Sequence, residues 1–261
     1  MTGEPWLPML LVAGAYLAMF TIGELLRRER RTAARVTRKV DHVVAGGIAL
    51  ALPMLFDSPW PVIALAIPFL AFLLGTMLIG WLGSVHAISR RSAGAFLYPV
   101  AIAATFVIAS DSYARYAIAV LALALCDPAG GIAGARWGRH AYLAWGQVKT
   151  WEGSLAVLVT TSVVTSSVLM LAGDPPIAAC LTGTFTGLVV ALVEGALPWG
   201  IDNLGIPLAG LVSLGAAGSA VTGGITLLCA TALLALALAA SRLRSRRREP
   251  SAPAAVASNA P

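Results

Sequence analysis

The sequence predicts an all-α polytopic membrane protein, and composition carries most of that argument. Of the 261 residues, 58% are hydrophobic and 11% are charged, whereas a soluble domain has about 25% charged residues. The mean hydropathy is +0.83. Apolar runs near the roughly 20 residues that a helix needs to span a bilayer follow one another along most of the chain. The composition therefore excludes an ordinary soluble domain.

The predicted helices are the apolar runs, which short polar or turn-forming segments separate. In chain order they cover 7–26, 42–56, 61–82, 94–109, a fifth run that begins at Tyr116 and contains Asp127, and then 154–172, 177–193 and 204–240. The first run leads into an arginine cluster without a small-residue cleavage site, so we expect a retained helix and not a signal peptide. The centre of the last run consists of small residues, so the run is predicted to form either one very long helix or two short ones.

The positions of the basic residues decide between these two arrangements. If the last run forms two helices, the chain has about nine, and 17 of its 18 Lys and Arg residues fall on one side. Arg115 is the exception, and the groups on the shared side are 27–39, Arg90, Arg91, Arg136, Arg139, Lys149 and 242–248. Because basic loops face the cytoplasm, the pattern predicts an outer N-terminus and a cytoplasmic C-terminus.

The chain is expected to form a single membrane domain over residues 1–241. Residues 242–261 begin with arginines and continue as a Pro/Ala/Ser-rich stretch, which is typical of a disordered cytoplasmic tail. The three cysteines show no paired spacing, so neither disulfides nor zinc are expected. The net charge of +6 is interpreted as an orientation signal and not as a nucleic-acid-binding surface.

Asp127 is the first candidate for chemistry, because it lies roughly 12 Å inside the predicted membrane boundary at helical rise. It is interpreted either as a Mg²⁺ ligand or as a carboxylate that pairs with an arginine and locks helices together. Pro128 and the glycines after it are expected to interrupt the helix, so that free backbone amides bind phosphate. Small-residue contacts between helices are the alternative for these glycines. They are Gly130, Gly131, Gly134 and Gly138.

The string Lys-Thr-Trp-Glu-Gly-Ser, from Lys149 to Ser154, is the most specific one in the chain. In the functional interpretation, Lys149 neutralises a phosphate while the Thr150 and Ser154 hydroxyls donate hydrogen bonds to it. Alternatively, Lys149 is an interfacial lysine, and Thr150, Glu152 or Ser154 caps the next helix. A Walker A loop is excluded because Val148 stands where that motif has glycine.

Two further polar clusters fall on the same predicted face. In the cluster after the seventh run, Asp202 and Asn203 could complete a metal site or accept a proton from a substrate hydroxyl, with a bland polar loop as the alternative. The cluster comprises Glu194, Asp202 and Asn203. The cluster before the second run is mostly an orientation signal, and His42 is its candidate functional member beside Arg38 and Lys39. Cations, carboxylates and glycines on one face predict a site for a polyanion and a metal.

These motifs resemble those of the CTP-dependent lipid-alcohol kinases, which include dolichol kinase, phytol and farnesol kinase and a CTP-dependent diacylglycerol kinase. The segment 127–154 is similar to a family pattern in which an Asp is followed by small residues and then by Lys-Thr/Ser-x-Glu/Ala-Gly-Ser/Thr. Glu194 with 201–207 resembles its Glu…Asp-Asn-Leu-x-Ile/Val-Pro signature, and 38–46 resembles its Arg-Lys-x-x-His-x-x-x-Gly pattern. Residues 92–99 lie where phytol kinases carry a Gly-Pro-Leu-Tyr-like helix start.

The resemblance spans roughly residues 38–207 and departs from the family at two places. Cys126 replaces the glycine before the aspartate, and Gly130 and Gly131 replace an alanine and a polar residue. The resemblance implies transfer of the CTP γ-phosphate to the hydroxyl of a membrane isoprenoid or lipid alcohol, with Mg²⁺ as cofactor. The implied partners are CTP, the alcohol and the bilayer, and association of two copies is left open.

The resemblance also implies roles for individual residues at a site that faces the cytoplasm. The implied catalytic residues are Asp127, Lys149, Asp202 and Glu194, and the implied metal ligands are Asp127 and Asp202. The implied nucleotide- and phosphate-binding residues are Arg38, Lys39, Gly130, Gly131, Gly134, Arg136, Thr150, Glu152, Ser154 and Asn203, with His42 as a further candidate.

Two rival functions stay open at this point. A cytidylyltransferase that makes a CDP-lipid would use similar groups, but the Pro-Gly-His-Gly-Gly and Asp-Arg-x-Asp strings of the phosphatidate enzymes do not occur in this sequence. A transporter of an anionic lipid-phosphate solute would need polar groups on both faces of the membrane. In this sequence only Asp111, Arg115 and a few others lie on the predicted outer side. Release of CDP would indicate the kinase, and release of pyrophosphate would indicate the cytidylyltransferase.

Overall fold

The structure, a computed structural model, describes residues 4–29, 34–86 and 93–246. The described part is almost entirely helical, with a single two-stranded hairpin inserted near its middle. The helices are α1 (Trp6–Glu29), α2 (Ala34–Leu50), α3 (Leu52–Leu55), α4 (Trp60–Leu78), α5 (Gly83–His86), α6 (Gly94–Ile108), α7 (Tyr113–Leu121), α8 (Asp127–Trp137), α9 (Trp151–Leu171), α10 (Pro176–Ala196), α11 (Asp202–Ala216) and α12 (Ala220–Arg246). The strands are β1 (Ala141–Ala144) and β2 (Gln147–Thr150).

Six helical segments among the described residues are long and apolar enough to cross a membrane, and α6 is a shorter apolar helix. They are Trp6–Arg28, Trp60–Leu78, Tyr113–Trp137, Trp151–Leu171, Pro176–Ala196 and Ala220–Arg242. Large apolar side chains such as Leu171 and Ile177 are 88% and 78% exposed, as expected where lipid replaces water around the bundle. A polytopic, helical membrane protein is therefore confirmed, while nine crossings and their orientation stay predictions.

The last predicted run does divide into two helices, because α11 ends at Ala216 and α12 begins at Ala220. Helix α12 continues to Arg246, past the predicted domain boundary at residue 241. The Pro/Ala/Ser-rich tail lies outside the described residues. So do six of the arginines used for orientation, namely Arg30, Arg31, Arg90, Arg91, Arg247 and Arg248.

The expectation that Pro128 and its glycines interrupt the helix is wrong. Helices α7 and α8 form one continuous segment, joined by a π-helical turn at Ala122–Cys126. Pro128 occupies the first turn of α8, where its missing N–H costs little because the hydrogen-bond ladder changes there from the π to the α pattern. Asp127 therefore projects from an unbroken helix, directly after a π turn of the kind frequent at functional sites.

The all-α prediction also missed the hairpin between α8 and α9. Its strands are antiparallel, with Tyr142 opposite Lys149. They turn at Trp145 and Gly146, both of which have positive φ, as the tight two-residue turns of hairpins require. Helix α12 holds the turn in place, because Trp145 N donates to Ala237 O at 3.3 Å and Gly146 N donates to Ser241 Oγ at 3.0 Å.

Candidate active site

Three carboxylates from distant parts of the sequence meet at one place. Asp127 begins α8, Glu194 lies in the last turn of α10, and Asp202 begins α11. One oxygen from each lies within 4.8 Å of the others. The side chains are 26%, 15% and 18% exposed in that order, so the cluster is reachable but shielded. Such an all-oxygen set of ligands suits Mg²⁺, which prefers carboxylates together with phosphate and water.

A sharp turn places two of these carboxylates side by side. Trp199 and Gly200, between α10 and α11, both have positive φ, and the backbone oxygen of Trp199 accepts a 2.8 Å hydrogen bond from Ala93 N. The left-handed conformation is costly for a bulky residue such as tryptophan and persists where the surroundings enforce it, often at functional sites. The reversal brings Asp202 back beside Glu194.

Lys149 supplies the positive charge that this cluster needs. Its Nζ lies 2.7 Å from Glu194 Oε1 and 3.9 Å from Asp202 Oδ2, and it also donates to the backbone oxygen of Glu194. Burial lowers the pKa of Lys149, but Glu194 and Asp202 together raise it by more, so the pKa lies above its usual range. The ammonium is therefore a fixed charge beside the carboxylates.

The hairpin is what presents Lys149 to the cluster. Tyr142, its cross-strand partner, packs against Ala196, Leu234 and other apolar residues of α10 and α12. The Tyr142 hydroxyl also lies 2.7 Å from Ser154 Oγ at the start of α9. The strand that carries Lys149 is thus fixed from three helices.

His42 and Asn203 brace the cluster from the opposite side. Asn203 is fully buried, and its Nδ2 donates to Gly94 O at 2.7 Å. That bond leaves Asn203 Oδ1 facing His42 Nε2 at 3.3 Å, while His42 Nδ1 lies 3.3 Å from the backbone oxygen of Arg38. The same Nε2 lies 3.9 Å from Asp127 Oδ2. The pair ties α2, α6 and α11 together behind Asp127, which favours a positioning role for both.

Helix α2 adds two cations beside the first turn of α8. Lys39 Nζ donates to Pro128 O at 3.0 Å, and the exposed Gly131 lies next to the same ammonium. Arg38 is half-buried and close enough to Asp127 and Asp202 to interact with both electrostatically. Both residues are therefore placed to attract an anion to the carboxylate cluster.

The glycines of α8 favour the packing alternative over an anion-binding loop. A side chain at Gly130 would run into Val157 and the Gly153 backbone, and one at Gly134 would run into Thr150. Gly153 in turn meets the backbone of Gly130. These contacts are the close helix–helix approach that small residues permit, and they keep the glycine amides within a helix.

The other residues predicted to bind phosphate make structural contacts. Thr150 Oγ1 accepts a hydrogen bond from Gly153 N and caps α9. Glu152 Oε1 lies 2.6 Å from His140 Nδ1. Arg136 is exposed and places its guanidinium 5.6 Å from the ring centre of Trp137. Their nucleotide-binding roles stay predictions.

The structure also points to residues that the motifs gave no role. Tyr98 donates through its hydroxyl to His42 O at 3.0 Å and packs edge-on against the imidazole, with ring centres 4.9 Å apart. Asp41, next to His42, is 93% buried. The sequence signal for Tyr98 was its place in the 92–99 segment, and that for Asp41 was its place beside His42 in the 38–46 segment. Only the packing reveals their surroundings.

A phytol kinase from Synechocystis sp. is 32% identical to this chain over 213 residues, which cover 78% of this chain and 88% of that protein. No family model and no solved structure matches the chain. The helical bundle, its carboxylate and lysine cluster and this relationship define a kinase embedded in a membrane. Within that class, the chain belongs to the polyprenol and phytol kinase family, which confirms the family assigned from its motifs.

Proposed function

We propose that this protein transfers the γ-phosphate of CTP to the hydroxyl of a membrane isoprenoid alcohol, giving the lipid monophosphate and CDP. The observation that carries the proposal is the convergence of Asp127, Glu194 and Asp202 on one point with Lys149 beside them. The relationship to a phytol kinase supports the alcohol as acceptor. The family motifs support CTP as donor.

Phosphoryl transfer asks the protein mainly for positioning and for neutralisation of charge. Asp127, Glu194 and Asp202 would hold Mg²⁺, which when bound offsets the charge of the triphosphate. Lys149 adds a positive charge that is already fixed in place. Arg38 and Lys39 approach from α2 and extend the positive potential toward the entering nucleotide.

A carboxylate also has to orient or deprotonate the attacking hydroxyl. We assign this role to Asp202 or Glu194, since both lie beside the cluster and both are shielded from solvent. The positive-inside pattern supports a cytoplasmic location for the site, where nucleotides are available. The alcohol would then present its hydroxyl at the cytoplasmic boundary while its chain stays among the helices.

The test is transfer of label in detergent or nanodiscs. Purified protein is given γ-labelled CTP, ATP, GTP or UTP with phytol, farnesol, geranylgeraniol or diacylglycerol, and lipids are extracted. We expect labelled isoprenoid phosphate with CTP and release of CDP. Pyrophosphate release with labelling from the α-position would replace the proposal by a cytidylyltransferase, and nucleotide-independent uptake of lipid phosphate into vesicles would replace it by a transporter.

Matched variants connect the activity to the cluster. Asp127→Asn removes a charge from the cluster with little change in volume, and we expect transfer to fall by about 100-fold or more, as for loss of a group that stabilises transition-state charge. Asp111→Asn is the control, because Asp111 is exposed and pairs with Arg115 away from the cluster. Equal transfer by Asp127→Asn and the parent protein would remove the site assignment.

A further inference from the structure

An elongated cavity lies between α1, α2, α4 and α6. Its empty volume, including the part that opens to the exterior, is about 850 Å³. Along α4 alone its lining extends from Val62 to Leu73, roughly 17 Å at helical rise. Most of the walls are apolar, with Tyr16, Phe69 and Ile102 among the larger contributors.

One end of the cavity is polar and adjoins the carboxylate cluster. Arg38, Asp41 and His42, from a single stretch of α2, line it there. His42 Nε2 lies 3.9 Å from Asp127 Oδ2, so the imidazole that lines the cavity also adjoins the cluster. A molecule in the cavity would therefore hold its polar end near the cluster and its apolar part between the helices.

Asp41 has the properties of a group that awaits a ligand. It is 93% buried, and its Oδ2 has no hydrogen-bond partner among the residues that the structure describes. A buried carboxylate oxygen without a partner is costly and rare in native proteins. Gly23 of α1 confines the group, because any side chain there would come within 2.8 Å of Asp41 Oδ1.

We infer that this cavity holds the hydrocarbon chain of the acceptor alcohol and that Asp41 Oδ2 accepts a hydrogen bond from its hydroxyl when the alcohol binds, before the hydroxyl reaches Asp202 or Glu194 for phosphate transfer. The inference rests on the proposed function and adds to it the place and orientation of the acceptor. An isoprenoid alcohol fits because it combines one terminal donor with a long apolar chain, as the cavity combines one buried acceptor with apolar walls. A phosphate headgroup would instead bring negative charge against Asp41.

Photolabelling tests the location without any nucleotide. A farnesol analogue with a diazirine near the end of its chain is irradiated with the membrane-reconstituted protein, and the labelled peptides are identified by mass spectrometry. We expect label on cavity residues of α1 and α4, such as Tyr16 and Phe69, and loss of that label with excess phytol. Label confined to outward-facing residues such as Ile67, or a phospholipid that occupies the cavity and resists phytol, would overturn the inference.

A pair of alanines on α4 tests the cavity kinetically. Ala66 lines the cavity, whereas Ala64 is not among the lining residues, and both are half-buried. Ala66→Phe should raise the KM for phytol by about tenfold through overpacking and raise the KM for a shorter alcohol less. Ala64→Phe should leave both KM values unchanged. Equal effects of the two substitutions would contradict the location.

Asp41→Leu tests the acceptor role. Replacing a buried carboxylate whose Oδ2 has no partner among the described residues by an apolar side chain should preserve or raise the unfolding temperature, while the KM for phytol rises by about tenfold and the KM for CTP stays unchanged. An unchanged KM for phytol would overturn the role of Asp41. If the variant does not fold, photolabelling of the parent protein still decides the location.

The two proposals fail in different ways. Cavity labelling that phytol displaces, without phosphate transfer from any nucleotide, would keep the binding site and remove the kinase function. Phosphate transfer to phytol without displaceable labelling of the cavity would keep the kinase function and remove this inference.

Discussion

Lys149 and Glu194 are 45 residues apart in sequence, yet their charged groups stand 2.7 Å apart inside the bundle. The side chains are 13% and 15% exposed, so water screens the pair only weakly. Removing one partner of a shielded ion pair leaves an uncompensated charge and is strongly destabilising. Here Lys149→Met would leave three carboxylates together, and a divalent cation would become their main source of neutralisation.

We therefore expect Lys149→Met to lower phosphate transfer by about 100-fold or more and to make stability depend on Mg²⁺. Its unfolding temperature without Mg²⁺ should fall below that of the parent, and added Mg²⁺ should raise it by more than in the parent, because binding to the folded state stabilises by mass action. Thermal unfolding with and without Mg²⁺ measures this. Arg115→Met, at an exposed pair with Asp111, should show neither effect.

The pKa of Lys149 predicts a pH dependence of definite sign. Because the folded-state pKa lies above the ordinary value of 10.5, the charged lysine stabilises the protein fully below pH 10.5 and less as the pH rises through the folded-state pKa. The difference in unfolding temperature between the parent and Lys149→Met should shrink above pH 10.5, because the lysine of the parent loses its charge there. A difference that stays constant or grows above pH 10.5 would contradict the assignment of the charge.

Neighbouring glycines of α8 distinguish packing from phosphate binding. Gly130→Ala should lower the unfolding temperature, since the new Cβ meets Val157 and the backbone of Gly153. Gly131→Ala should preserve or raise it, because the position is exposed, the nearest atom is the movable Lys39 ammonium, and alanine favours a helix by about 1 kcal/mol. Thermal unfolding without nucleotide gives both values, and equal losses at both positions would contradict the packing interpretation.

His42 and Asn203 should behave as one unit. Asn203→Leu removes the hydrogen bonds that Asn203 makes with Gly94 O and His42 Nε2 and should reduce the free energy of unfolding by about 1–3 kcal/mol. His42→Leu should add little to that loss, because interacting residues are not additive in a double-mutant cycle. Denaturant unfolding of the two single variants and the double variant measures the coupling energy. Additive losses would show that the 3.3 Å contact carries no energy.

Composition and motif spacing predicted the membrane bundle and the helix break near residues 217–219. They also predicted the three clustered carboxylates and Lys149 as candidate site residues. They predicted Asp127 and Asp202 as metal ligands, whereas the geometry also brings Glu194 to the same point. That addition depends on the turn at Trp199 and Gly200, whose left-handed conformation has no clear signal in the sequence. The glycines after Pro128 suggested an open loop. Glycines also allow close helix packing, and the sequence alone does not distinguish the two uses.

The hairpin and Asp41 show where a single sequence stops being informative. Each strand has four residues, too few for alternation to stand out, and the turn is Trp-Gly in place of the usual Asn-Gly or Asp-Gly. Asp41 stands beside His42 in the sequence, but its burial and its unpartnered oxygen come from α1 packing against α2. Burial of a polar group is a property of the folded chain, so it could not be predicted from the motif.

The hydrogen bonds from the Trp145–Gly146 turn to α12 make the last described helix a support for the carboxylate and lysine cluster. Ala237 and Ser241 contribute no group to the carboxylate cluster. They bind the turn that leads into β2, the strand that carries Lys149. A chain cut before Ala237 would retain every charged residue of the cluster and lose the anchor that aims its lysine. The C-terminal end of the bundle is thus a place where a tag, a cleavage or a bound protein could change turnover from a distance.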